Sequence, residues 1–191
     1  TISGAFDVTT NGAVTQSAEP APPLTTLLPP GAPNNNTLNN GANNFSTVGI
    51  TTGNNVNLRD ANALALGAST VSGAFDVATN GALTQSGALT VAGTTTLTVG
   101  AANNITLNNA GNNFSTVGIT TGNNVNLRDA NALVLGASAV SGTLGVTTNG
   151  AVTQSGALTV TGATTLAAGA ANNITLNNAA NNFSTVGITN R

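Results

Sequence analysis

The sequence predicts an all-β fold, a parallel β-helix (β-solenoid) of about eight coils built on a 69-residue sequence repeat. Three observations carry this reading. The first is the repeat itself: Phe45, Phe114 and Phe183 each open the phrase Phe-Ser-Thr-Val-Gly-Ile-Thr at a constant spacing of 69. Ser3, Ser72 and Ser141 open Ser-Gly steps at the same spacing, and the block Phe45 to Leu64 recurs letter for letter from Phe114 to Leu133. A compact enzyme has no reason to repeat its core, because each core position meets different neighbours. A stack of similar layers has one, since each layer buries its face only against another of the same shape. The second observation is a series of short apolar clusters at roughly eight-residue intervals, many in strict alternation, as half-buried strands require. The third is that helix signals are absent.

In the second copy the clusters fall in order at Phe75/Val77, Leu83, Leu89/Val91, Leu97/Val99, Ile105/Leu107, Phe114/Val117/Ile119, Val125/Leu127 and Leu133/Leu135. Between them stand Asn80-Gly81, Asn103-Asn104, Asn108-Asn109, Asn112-Asn113 and Gly122-Asn123-Asn124, residue types that accept tight turns. Eight or nine strands per copy fit about three triangular coils of roughly 23 residues, so strands are expected to pair with those about 23 residues away. With layers about 4.8 Å apart the chain makes a rod on the order of 40 Å long. One continuous solenoid over 1–191 is expected, with copies at 1–69, 70–138 and a truncated 139–191. Phe6 and Phe75, Val8 and Val77, and Phe45, Phe114 and Phe183 are expected to point inward and stack. Asn104 and Asn173 are expected at corners, where identical amides form ladders between coils.

Residues 19–33 break the pattern. All six prolines lie there, in place of the positions that run from Ala88 to Ala102 in copy two. Proline cannot donate to a ladder, so two or three strand positions are expected to be lost from the first coils, as an edge irregularity or as an arm that caps the solenoid or docks on a neighbour.

Composition removes most chemistry. The chain has 191 residues, 4% charged, a formal net charge of −2, and no Cys, His, Lys, Met, Trp or Tyr. Without a basic stripe, nucleic-acid binding is not expected. No run of eighteen apolar residues exists, so no membrane insertion is expected, and the chain reads as an internal piece of something longer or a mature segment. The lack of cysteine suits a solenoid, whose ladders replace disulfides.

The acids are Asp7, Glu19, Asp60, Asp76 and Asp129, with no His, Lys, Cys or Tyr to form an acid–base pair, and no base stands ready to activate a Ser or Thr hydroxyl. Asp7 and Asp76 share a repeat position that holds Gly145 in copy three, as a solvated or turn-bonding group would allow. The expectation is no enzymatic activity, no cofactor and no metal, because calcium sites on repeats need several carboxylates per turn where this chain carries Asn. Arg59-Asp60 and Arg128-Asp129 recur at 69 and read as structural, each Arg pinning a corner by donating to carbonyls.

Phrases such as Gly156-Ala-Leu-Thr-Val-Thr-Gly162-Ala-Thr-Thr-Leu166, Asp129-Ala130-Asn131-Ala132-Leu133-Val134-Leu135 and Asn103-Asn104-Ile105-Thr106-Leu107 resemble the repeats of filamentous haemagglutinin-like bacterial surface exoproteins. The resemblance covers the chain apart from 19–33. It implies a right-handed parallel β-helical stalk exported to the cell surface or outside the cell, supporting adhesion or biofilm and filament formation. The implied partner is the chain itself, end to end or within a longer array, with any host or cell-surface ligand unspecified. Leu-Thr-Val-Thr-Gly-Ala-Thr-Thr-Leu is also similar to trimeric phage-tail-fibre phrases, and Ala132 to Gly136 to trimeric adhesin heads, where three chains share one core. A remoter alternative is an ice-binding solenoid, from the runs Thr51-Thr52, Thr94-Thr95-Thr96 and Thr120-Thr121, although Thr also favours strands. Asn-x-Ser/Thr sequons at Asn35, Asn44, Asn104, Asn113, Asn173 and Asn182 are expected from composition alone.

Overall fold

A computed structural model describes residues 34–189, residues 12–15, and the backbone of 5–7 and 24–28. Among the described residues there is no helix, and every strand pairing is parallel. The chain is a parallel β-solenoid, and 34–189 alone makes about eight turns.

Alternation in sequence becomes alternation in burial. Val56–Asp60 buries Val56, Leu58 and Asp60 and exposes Asn57 and Arg59; Phe75–Thr79 and Leu144–Thr148 follow the same rule. The inward residues join in one core that runs from Leu38 to Ala168, with Phe75, Leu83, Leu89, Leu97, Ile105 and Leu107 fully enclosed. A single chain closes this core.

The coil is shorter than the expected 23 residues. Thr47 pairs with Ala65, Val56 with Phe75, Ile105 with Val125 and Thr90 with Asn113, so the step varies from 18 to 23 with the corner turned. Most corners need only a two- or three-residue turn, and some strands, such as Leu89–Val99, bend across two faces without a break. At about 20 to 21 residues per coil, a 69-residue copy makes roughly three and one-third coils.

Successive copies are therefore rotated by one face. Leu64, Leu83 and Ile105 form a column that continues through Val125, Leu144 and Thr164. Those three are the sequence counterparts of Val56, Phe75 and Thr95, which stand on a different face. The counterparts of Leu64, Leu83 and Ile105 are Leu133, Val152 and Ile174, again in a column of their own. Phe45, Phe114 and Phe183 accordingly point inward from three different faces, beside Leu24, Val91 and Val160, and do not stack on one another. Phe45 and Phe114 are buried, Phe183 half-buried; the side chains of Phe6 and Val8 lie outside the described residues.

The proline-rich segment keeps one strand. Leu24–Leu28, a proline-free window between Pro23 and Pro29, forms a strand that pairs with 5–7 on one side and with Phe45–Ile50 on the other. Every residue in it keeps its N–H, so the ladder passes through; the rest of 19–33 lies outside the described residues.

Two packing details give a test. A Cβ on Gly156 would sit 2.4 Å from the backbone nitrogen of Ala137 in the coil beneath, and Gly87 meets Ala68 in the same way. Gly156→Ala should lower stability by about 1–3 kcal/mol through overpacking against backbone that cannot move aside. The buried hydroxyls of Thr95 and Thr164 find no hydrogen-bond partner. Thr95→Val should raise stability by about 1 kcal/mol, since it removes an unsatisfied group at equal volume. Urea denaturation of the two variants should move the midpoint in opposite directions.

Candidate functional site

The repeat-borne polar residues gather at the corners, inside the wall. Asn112 is fully buried where the chain leaves Ile105–Leu107. Its amide nitrogen donates to the carbonyls of Leu107 and Arg128 (both 3.2 Å) and to Oε1 of Gln85 (2.9 Å). Its oxygen accepts from Nε2 of Gln85 (2.8 Å) and from the Leu89 N–H (3.0 Å). One side chain thus binds three successive coils, and the two amides satisfy each other. Asn181 and Gln154 repeat the pair at 2.9 Å in both directions, with Asn181 also bonded to Leu158 and Leu176. Asn43 does the same for the carbonyls of Leu38 and Arg59 at 3.1 Å.

Asp60 and Asp129 complete the corner. Asp60 accepts from the N–H groups of Phe45 (2.6 Å) and Asn62 (3.0 Å); Asp129 accepts from Phe114 (2.6 Å) and Asn131 (2.7 Å). Both are buried, and burial pushes their carboxyls above the ordinary value of 3.8, while the two backbone donors pull part of the way back. The pinning expected of the arginines is done by these neighbours. The carbonyls of residues 59 and 128 are bound, but by Asn43 and Asn112; the Arg59 side chain points outward, its Nε lying 3.5 Å from where a Cβ on Gly41 would be. In a strand the residue after a buried position faces out, so Asp60 inward forces Arg59 outward.

Asparagine ladders form at two kinds of corner, at one of which Asn62 Nδ2 donates to Asn44 Oδ1 (3.1 Å). Asn104 Oδ1 accepts from the N–H (3.1 Å) and Nδ2 (3.3 Å) of Asn124, whose own Oδ1 accepts from the Thr143 N–H (3.0 Å). Asn35, Asn55 and Ala74 make the same chain one copy earlier. Asn173, the counterpart of Asn104, is exposed and contributes its carbonyl to Val152. Asn40, Asn109 and Asn178 each fold a local turn, accepting at 2.9 Å from the residue two further on.

These groups hold backbone. Both oxygens of Asp60 and of Asp129 are occupied, and among the described residues no three His, Cys, Asp or Glu side chains come together as a metal would need. Outward Thr residues line up only in short runs: Thr70 neighbours Thr90, Thr94 neighbours Thr116 and Thr98 neighbours Thr121, but on their other sides Thr90 meets Asn113, Thr116 meets Val134 and Thr98 meets Ala78. The outside is a set of three mixed polar faces, and the wall is a stack of amide- and carboxylate-pinned corners.

Fold and corners together define a parallel β-solenoid repeat protein. The chain belongs to the family described as repeats of unknown function (DUF5649), whose profile matches residues 1–52, 53–121 and 122–190. No curated protein and no solved structure matches it.

Sequence reasoning passed over Asn43, Asn181, Gln85, Gln154, and Ser69 and Ser138, which cap Ile50 and Ile119 at 3.1 and 3.2 Å; it read Asn112 only as a turn residue and gave the pinning role to the arginines beside Asp60 and Asp129. The signal was present: Gln85 with Asn112 and Gln154 with Asn181 both lie 27 residues apart, longer than a coil by one corner.

Asn112→Ala should cost about 2–4 kcal/mol, because two buried carbonyls, one N–H and the Gln85 amide lose their partner together. Asn113→Ala, exposed one residue later, should change stability by less than about 0.5 kcal/mol. Equilibrium unfolding measures both. A carboxyl raised in the folded state stabilises most below its unfolded value, and that contribution is lost as pH rises through the raised value. The urea midpoint should therefore be higher near pH 4 than at neutrality, and Asp60→Asn with Asp129→Asn should flatten the slope. A parent midpoint that drops on acidification would refute the assignment.

Proposed function

We propose that the chain is a structural stalk or fibre segment of a secreted bacterial surface protein of the filamentous haemagglutinin-like kind, working outside the cell or at its surface in adhesion or filament formation. The observation that carries this reading is the unbroken inter-coil ladder and core, in which each repeat-borne buried amide and carboxylate is spent on holding one coil to the next. Chemistry needs a group held free for substrate, and a stalk needs none.

Its first partner on this reading is itself, within a longer array or end to end. Val186 and Ile188 are 46% and 59% exposed, whereas their counterparts Val48, Val117, Ile50 and Ile119 are at most 1% exposed beneath a further coil. A layer laid over Asn182–Ile188 would bury them and pair its outer edge.

Electron micrographs and a solution mass test the reading: single-chain rods or end-joined filaments of them are expected, and compact particles or trimers sharing one core would overturn it. Val186→Asp with Ile188→Asp should abolish end-to-end association in sedimentation while leaving the thermal transition of the remaining coils in place. Surface labelling of intact cells that produce the parent protein tests the location.

A further inference from the structure

We infer that the face formed around Arg59 is a binding groove for an acidic saccharide, one carrying a carboxylate beside ring hydroxyls. The groove, of about 320 Å³, is lined by Asn39, Asn57, Arg59, Asp76, Ala78, Thr96 and Thr98 on the outside of Val56–Asp60, Phe75–Thr79 and Leu89–Val99. Register fixes its plan. Asn57, Asp76 and Thr96 form one outward row, and Arg59, Ala78 and Thr98 the next, with each step one layer of about 4.8 Å. Ala78, the shortest side chain of its row, opens the depression between Arg59 and Thr98.

The chemistry of the lining points to the ligand. Arg59 is exposed, and among the described residues it makes no ion pair or hydrogen bond through its side chain, so its fork of N–H donors is available to a carboxylate. Asp76 and the amide oxygen of Asn57 accept from sugar hydroxyls, while Thr96, Thr98 and the Asn57 amide nitrogen donate. A layer spacing of about 4.8 Å is close to the length of one pyranose residue, so an extended saccharide lying along the rows sets successive units beside Asn57 and Arg59, then Asp76 and Ala78, then Thr96 and Thr98. A nucleic acid is a poor alternative, since one arginine cannot neutralise a run of phosphates.

The next copy supplies a comparison within the same molecule. There Arg128 and Asn126 are kept, but Gly145 replaces Asp76, Thr147 replaces Ala78 and Ala167 replaces Thr98. The hydroxyl acceptor is gone, and a larger side chain fills the depression opposite Arg128, which is itself half-buried. The corner that binds the coils together is the same in both copies, so these substitutions touch the groove and leave the structural network intact. The inference stands apart from the stalk reading: a rod without this groove and a groove on a chain of other shape give different results in the two experiments.

The test is titration of the purified chain with trigalacturonate, followed by amide chemical shifts and calorimetry. Shifts are expected at residues 57–59, 76–78 and 96–98 at millimolar ligand. Arg59→Gln, and Ala78→Thr, which copies the second groove, should each weaken binding at least tenfold, and Arg128→Gln should leave it unchanged. The methyl-esterified trimer should bind as weakly as Arg59→Gln does. Circular dichroism melts of the variants establish that each is folded. An absence of shifts at these positions, equal losses in Arg59→Gln and Arg128→Gln, or equal binding of ester and acid would each overturn the proposal.

Discussion

Everything in this molecule depends on one constraint, the parallel backbone ladder between a coil and the coils above and below it. Each strand must place its N–H and C=O groups opposite those of a neighbour about 20 residues away, as Val56 does to Phe75 and Phe75 to Thr95. A buried backbone group without a partner is expensive, so the corners have to turn without losing the ladder. The corner chemistry follows from that demand. Asn112 reaches carbonyls that the bend leaves unpaired, Asp129 takes up the N–H of Phe114 and of Asn131, and Ser138 takes up that of Ile119.

The same constraint explains why so few charges are tolerated inside and why those present are carboxylates. Asp60 and Asp129 are enclosed, yet each receives two backbone donors, which offset part of the penalty of desolvation. An arginine in that position can only donate, and would leave the N–H groups that the aspartates accept from without a partner. The period-two alternation of the strand sends it outward, where it becomes a surface feature and loses its structural task.

The relation between the sequence repeat and the coil has a consequence for the surface. Because a copy makes about three and one-third coils, any outward residue reappears one face round the axis in the next copy, and three copies bring it back to its first face. Such a rod offers no continuous row of one residue type to a flat partner. It displays each motif in three directions, and small substitutions such as Gly145 for Asp76 make the displays unequal.

The sequence alone determined the fold class and the inside-outside assignment of the strands, because period-two alternation and a 69-residue repeat are local and one-dimensional. Phe75, Val77, Val125 and Leu127 were legible as core, as were Asn104 and its neighbours as a corner. The coil length was not legible, since it is set by how sharply each corner turns, and that depends on contacts between residues about 20 apart. For the same reason the sequence suggested that Phe45, Phe114 and Phe183 share one stack, whereas the structure sends them to three faces. Which member of the Arg59-Asp60 pair holds the corner was likewise a tertiary decision. Alternation places them on opposite sides of the wall, and only the position of Leu58 in the core fixes which side is inside.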